Sequence, residues 1–215
     1  MFSNSYENYF RQTNAPISYV RALNASPNTP AVDIYLNDTK LVENLSYQEF
    51  TEYLSVTPGN YTVKIYPAGS TENLIFSENV TIPPTTISTT SIVGINPDIS
   101  LVTAAEPKGP MIPGKLFLRF ANLSPNSPNM NLTLANGTVL FRNVPFKGVT
   151  DYASLNPGIY HFQLRDASTN RVLLDAPNIR LRGNRFYSIY SVGILGGNPP
   201  QRILVPLDGN SYLNF

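Results

Sequence analysis

Apolar and polar residues alternate along most of this chain. Val32, Ile34 and Leu36 interleave with Asp33, Tyr35 and Asn37. Tyr61, Val63 and Ile65 interleave with Thr62, Lys64 and Tyr66, and Tyr160, Phe162 and Leu164 with His161, Gln163 and Arg165. Successive side chains of a strand point to opposite faces, so each run offers one apolar face and one polar face. The pattern predicts strands near 17–24, 31–36, 40–44, 51–56, 60–66, 73–82, 86–94 and 99–103. A second series is expected near 115–122, 129–134, 138–143, 150–155, 159–165, 171–181, 185–193 and 201–207. Asn37-Asp38 and Asn136-Gly137 read as hairpin turns, and Pro58-Gly59 and Pro157-Gly158 as turns in which Pro fixes φ. Nothing sustains helical spacing over three turns within either series.

The two series are one unit written twice. Arg21, Asn24, Ser26, Pro27, Asn28 and Pro30 match Arg119, Asn122, Ser124, Pro125, Asn126 and Pro128. Asn44, Tyr53, Ser55, Pro58, Gly59 and Tyr61 match Asn143, Tyr152, Ser154, Pro157, Gly158 and Tyr160. Repeats of this length are domains rather than solenoid turns. The expected fold is all-β: two tandem immunoglobulin-like antiparallel β-sandwich domains, each packed on one side of its sheets and wet on the other. The expected division is a polar, aromatic N-terminal arm over 1–15, repeat 1 over 16–103, a Pro-rich linker over 104–114, repeat 2 over 115–208 and a tail over 209–215.

Composition narrows the function classes. Of 215 residues 13% are charged, and 15 basic against 14 acidic residues leave a formal charge of +1. There is no basic field for nucleic acid and no apolar stretch for membrane insertion. The chain has no cysteine and one histidine, which excludes disulfides, thiolate sites and a cysteine nucleophile and leaves zinc without ligands. The acidic residues are scattered, with no cluster for calcium. His161 alternates onto a polar face with no serine motif near it, Glu49 and Glu52 read as solvated charges, and Gly193 to Gly197 lacks the lysine and helix of a phosphate loop. No catalytic residue, cofactor or metal is expected. The first residues lack the basic start and apolar run of a secretory signal.

The strongest local motif is Asn-x-Ser-Pro-Asn-x-Pro, at Asn24 to Pro30 and Asn122 to Pro128. It reads either as a rigid corner between strands or as a contact loop presenting Ser26, Asn28, Ser124 and Asn126. Here SYVRALNASPNTPAVDIYLND, continued by LVENLSYQEFTEYLSVTPGNYTVKIYPAGS, resembles the bacterial domain of unknown function 4397. The resemblance covers both repeats and is tighter in the first. It implies an immunoglobulin-like, cell-envelope-associated tandem with no assigned activity. The family's His is Asn24 and Asn122 here, its Asp after Ser-Pro is Asn28 and Asn126, and the Asp33 position becomes Asn131.

Two further features bear on partners. Phe2, Tyr6, Tyr9 and Phe10 make the N-terminal arm a candidate for docking on a neighbouring molecule. Tyr35 and Tyr66 lie opposite the aliphatic stripes, where rings can meet a partner protein or stack on a sugar. The expected function is a non-enzymatic structural or interaction protein of a bacterial surface layer (an envelope, a spore coat or an appendage), self-assembling through the arm. A carbohydrate-binding or surface-binding adhesion module is the alternative. Partners are expected to be protein, this chain itself included, or glycan, and the location the bacterial surface, spore coat or extracellular space.

Overall fold

A computed structural model describes residues 16–214. Repeat 1 folds as β1 (Ser18–Asn24), β2 (Val32–Leu36), β3 (Thr39–Leu45), β4 (Leu54–Val56), β5 (Gly59–Pro67), β6 (Phe76–Ile82), β7 (Ile87–Ile95) and β8 (Asp98–Ala105). Repeat 2 follows the same order with β9 (Leu116–Asn122), β10 (Met130–Leu134), β11 (Val139–Val144), β12 (Ala153–Leu155), β13 (Gly158–Asp166), β14 (Val172–Leu181), β15 (Phe186–Val192) and β16 (Arg202–Leu204). The last described residues form a 3-10 turn at Gly209–Ser211. Each repeat is a sandwich of two four-stranded sheets, ordered β4-β1-β7-β8 over β3-β2-β5-β6 and β12-β9-β15-β16 over β11-β10-β13-β14.

Three details depart from the sequence reading. The sheets are not wholly antiparallel, because β1 pairs with β7 and β9 with β15 in parallel. No hairpin joins those strands, since the chain passes through the opposite sheet between them, so their relative direction is free. Gly59 and Gly158 open β5 and β13, and the tyrosine two residues on secures the turn. Tyr61 donates its hydroxyl to the Thr57 carbonyl at 2.6 Å, and Tyr160 does the same to Asn156. The Pro-rich segment is not all linker. Its first two residues complete β8, and Glu106, its third, is buried.

The fourth departure concerns the faces. Val20 and Ala22 of β1 point into their sandwich, and Arg21 and Leu23 point out. In β9, Leu116, Leu118 and Phe120 point in, and Arg119 and Ala121 point out. The outward faces are not wet. Leu23, Ala25, Val93, Ala121, Leu123, Tyr190 and Val192 form one buried cluster drawn from both repeats. The two sandwiches therefore stand back to back on the β1 and β9 sheets, and each of these sheets is buried on both sides. Alternation alone does not reveal this, because Arg21 and Arg119 interrupt the outward face with charge.

Candidate functional site

Those two arginines meet at the centre of the back-to-back contact. The Arg21 guanidinium donates to Thr89 Oγ1 at 2.9 and 3.1 Å, to the Leu207 carbonyl at 2.9 Å and to Asp208 Oδ1 at 3.3 Å, with Glu106 3.9 Å away. Arg119 donates to Ser188 Oγ at 2.6 Å and to the Ala105 carbonyl, with Glu106 at 3.7 Å and Asp208 at 3.8 Å. Each arginine lies over a tyrosine ring, Arg21 4.6 Å from the Tyr53 centroid and Arg119 4.7 Å from that of Tyr152. The tyrosines complete the set. Tyr53 donates to both Glu106 oxygens at 2.7 Å, and Tyr152 to Asp208 Oδ2 at 2.6 Å.

The cluster has two-fold pseudo-symmetry. Arg21, Tyr53, Thr89 and Glu106 of one repeat face Arg119, Tyr152, Ser188 and Asp208 of the other, and two cations balance two anions. Burial, then the neighbouring Asp208 carboxylate, pushes Glu106 above the ordinary carboxylate range, against donors that favour its ionised form. Burial raises the two tyrosines as well. The residues suit acid–base chemistry, yet Glu106 and Asp208 side chains are fully shielded and their oxygens are engaged from inside the protein. The arrangement ties the β1 sheet of one repeat to the β9 sheet of the other, as a lock does. The sequence signal was present: Arg21 with Arg119 and Tyr53 with Tyr152 are matched pairs. Matching of this kind marks repetition and does not by itself mark contact.

The motif loops resolve into two kinds of residue. Asn24 accepts the Ser26 amide and donates to the Leu45 carbonyl, both at 3.2 Å, and Asn122 repeats this with Ser124 and Val144. Ser26 donates to the Gly94 carbonyl at 2.9 Å and Ser124 to that of Gly193 at 2.6 Å. Both serines are completely buried, which corrects their expected place as contact residues: their hydroxyls fasten the corner to β7 and to the end of β15. Asn28 and Asn126 are exposed. Asn28 sits at φ 65°, and Asn126 exchanges bonds with the Leu195 backbone at 2.9 and 3.1 Å.

On the outer face of the β3-β2-β5-β6 sheet, Tyr35 and Tyr66 are half-buried and meet edge to face, centroids 5.6 Å apart. Asp33 lies below them and binds Lys40 at 2.8 Å, the Asn44 amide at 2.9 Å and the Gly69 amide at 3.1 Å. Burial opposes its ionisation, but Lys40 and the two amides outweigh burial and hold it below the usual aspartate range. A carboxylate depressed in the folded state adds stability above its unfolded pKa of about 3.9 and loses it as pH falls through the folded value. In repeat 2 the Asn131 amide oxygen takes the same backbone contact, from Asn143 at 2.7 Å. Asp33→Asn is therefore expected to keep the fold and to flatten the loss of thermal stability between pH 4 and pH 2. Circular dichroism melts of both proteins across that range check it, and identical acid limbs would contradict it.

The remaining expectations have simple places. His161 is part-exposed on β13 and contacts Asp175 at 2.7 Å. Glu49 accepts the Ser46 amide, a local turn contact. Among the described residues no group of three His, Cys, Asp or Glu side chains could hold a metal, and no helix is long and apolar enough to cross a membrane. Phe2, Tyr6, Tyr9 and Phe10 lie outside the described residues.

Comparison with known proteins gives one firm match. The family model "Domain of unknown function (DUF4397)" matches residues 18–133 and again 124–212. No curated protein matches. Three similar solved structures are CBMbc (family CBM26) from Eubacterium rectale Amy13K, in complex with maltoheptaose, the Bacillus anthracis TIE protein, and a streptococcal virulence factor described for α-glucan binding. The first is 10% identical at a TM-score of 0.29, covering 90% of this chain and 99% of that one. The second is 12% identical at 0.27, covering 84% and 34%. The third is 13% identical at 0.28, covering 92% and 100%. At these scores none of the three bears on what this chain does.

Proposed function

This chain belongs to the DUF4397 family and carries its domain twice, and from that premise we propose a non-catalytic structural protein of a bacterial surface layer that assembles through protein contacts. The observation that supports this most is the lock. Among the described residues, the buried arginines, carboxylates and tyrosines that converge at Arg21 and Arg119 join the two repeats. What faces outward on the β3-β2-β5-β6 sheet is largely hydroxyl, amide and tyrosine. Surfaces of low charge repel each other weakly, which favours close packing of copies. The segment 1–15, with Phe2, Tyr6, Tyr9 and Phe10, supplies the contact.

Light scattering and electron microscopy of the full chain test this reading. Ordered multimers are expected, and removal of residues 1–15 is expected to leave both sandwiches folded while abolishing assembly. A full chain that stays monomeric at every concentration, or that turns over a substrate, would end the proposal. The Tyr35–Tyr66 pair favours a second reading, in which the outer face binds glycan. A glycan array would then give reproducible signals that disappear on Tyr35→Ala or Tyr66→Ala.

A further inference from the structure

The two repeats fill their sandwiches differently. Strand registers place Ala22 opposite Thr90 where repeat 2 has Phe120 opposite Ile189, and Ile34 opposite Val42 where repeat 2 has Leu132 opposite Phe141. In the same way Leu36 faces Val63 where Leu134 faces Phe162. Repeat 1 thus lacks the phenyl rings of Phe120, Phe141 and Phe162, and carries one, Phe76, where repeat 2 has Leu174. Phe120, Phe162 and Ile189 are at most 1% exposed, whereas Ala22 and Thr90, which point into the corresponding space, remain partly open. The result is an apolar cleft of about 270 Å³ between the sheets of repeat 1. No charged side chain lines it, and hydroxyls of Ser88, Thr90 and Thr103 stand among its aliphatic walls. Protein interiors are otherwise close-packed, and unfilled space forfeits the dispersion contacts of its lining.

We propose that this cleft receives the aromatic segment 1–15 of a second copy of the chain, a proposal that rests on the assembly reading above and names its acceptor site. The segment is of the right kind. Phe2, Tyr6, Tyr9 and Phe10 are aromatic side chains of the sort that repeat 2 buries and the lining of the cleft lacks. It also starts from the right place. Ser18 donates to the Pro83 carbonyl at 2.6 Å and the Tyr19 amide to that of Thr86 at 2.8 Å, and Pro83 and Thr86 both line the cleft. The arm therefore joins the domain at the cleft's rim. Pro16 and Ile17 are exposed there. Edge strand β8 beside the opening offers the backbone pairing that ordering such a segment needs.

Two variants of the full chain separate this from docking elsewhere. One replaces Phe2, Tyr6, Tyr9 and Phe10 with serine. The other restores repeat-2 side chains in the cleft, as Ala22→Phe with Val63→Phe, and Thr90→Ile alone serves as a milder version if the double variant melts early. Each variant by itself is expected to weaken self-association at least tenfold in sedimentation equilibrium. Mixed, they are expected to form a 1:1 dimer, since one contributes a segment and the other an open cleft. A synthetic peptide of residues 1–15 is expected to bind the serine variant and not the filled one. If the filled variants fold and assemble like the parent, the segment docks elsewhere; this inference falls while the assembly reading stands. If the parent is monomeric and the peptide fails to bind the serine variant, both fall. If the parent is monomeric but the peptide binds the serine variant, each cleft holds its own segment, and the second copy is wrong.

Discussion

Arg21→Met is expected to lower the unfolding free energy by about 3–5 kcal/mol, the usual cost of stranding a buried charge. Arg21 is 5% exposed and faces two shielded carboxylates. Removing it leaves Arg119 alone to balance both Glu106 and Asp208, whose side chains are fully shielded. The Leu207 carbonyl loses its donor as well, and Thr89 loses two. Methionine keeps much of the packing over Phe50 and Tyr53, so the loss reports charge more than volume. Glu106→Gln in the Arg21→Met background is expected to cost less than the two single changes summed, because it withdraws the anion that the first change stranded. Urea denaturation of the four proteins measures both effects. A loss below about 1 kcal/mol for Arg21→Met would mean that the pair behaves like an exposed surface ion pair.

Gly94→Ala and Gly193→Ala are expected to be the most damaging small substitutions, at about 3 kcal/mol or more, or to yield no folded protein. Gly94 has φ +100°, and an added Cβ would lie 2.0 Å from the Asp98 carbonyl oxygen; Gly193 has φ +87°, with the Pro200 carbonyl oxygen at 2.3 Å. Both partners are backbone, so neither can swing aside. Left-handed backbone alone costs an L-residue about 1–2 kcal/mol, and the clash adds strain of the kind seen on overpacking, about 1–3 kcal/mol. The same glycines accept the buried Ser26 and Ser124 hydroxyls, so any shift also loosens the Asn-x-Ser-Pro corner. Gly69→Ala is the control. Its φ is +75° but nothing lies within 4 Å of the added carbon, so only the backbone cost of about 1–2 kcal/mol remains. Equal losses at Gly69 and Gly94 would show that close approach is not what these positions require.

The strands were legible because period two survives wherever one face of a strand is buried. β5 and β13 show this clearly: Val63, Ile65, Phe162 and Leu164 point inward between polar neighbours. β1 and β9 obey the same rule inside the sandwich but carry a second interface outside it. There the outward residues are Arg21, Leu23, Arg119 and Ala121, a mixture that alternation assigns to water. Their partners make a buried arginine tolerable, and these are distant in sequence: Leu207 and Asp208 for Arg21, and Ser188 and Asp208 for Arg119. Ser26 and Ser124 misled for a related reason: a hydroxyl in a Pro-flanked loop looks available until the glycine carbonyl that takes it is located. The cleft was invisible because Ala22 and Phe120 are equally apolar, and hydropathy carries no volume. The tyrosine of Pro-Gly-x-Tyr, by contrast, shows its purpose within four residues, which is why both copies kept the same turn.

The crossed arginine contacts have a consequence for how the halves stand alone. Arg21 holds the carbonyl of Leu207 and Arg119 that of Ala105, so each half grips the chain as it leaves the other. An excised half would bare Leu23, Ala25 and Val93, or their counterparts, beside a guanidinium left with only its own half's carboxylate. Because the two gripping surfaces are near-copies, such a fragment's natural mate is its own twin, joined isologously as in a symmetric homodimer. The full-length chain can be regarded as that dimer with a peptide tether, which frees each protomer to diverge: one to pack its interior solid, the other to keep an open cleft.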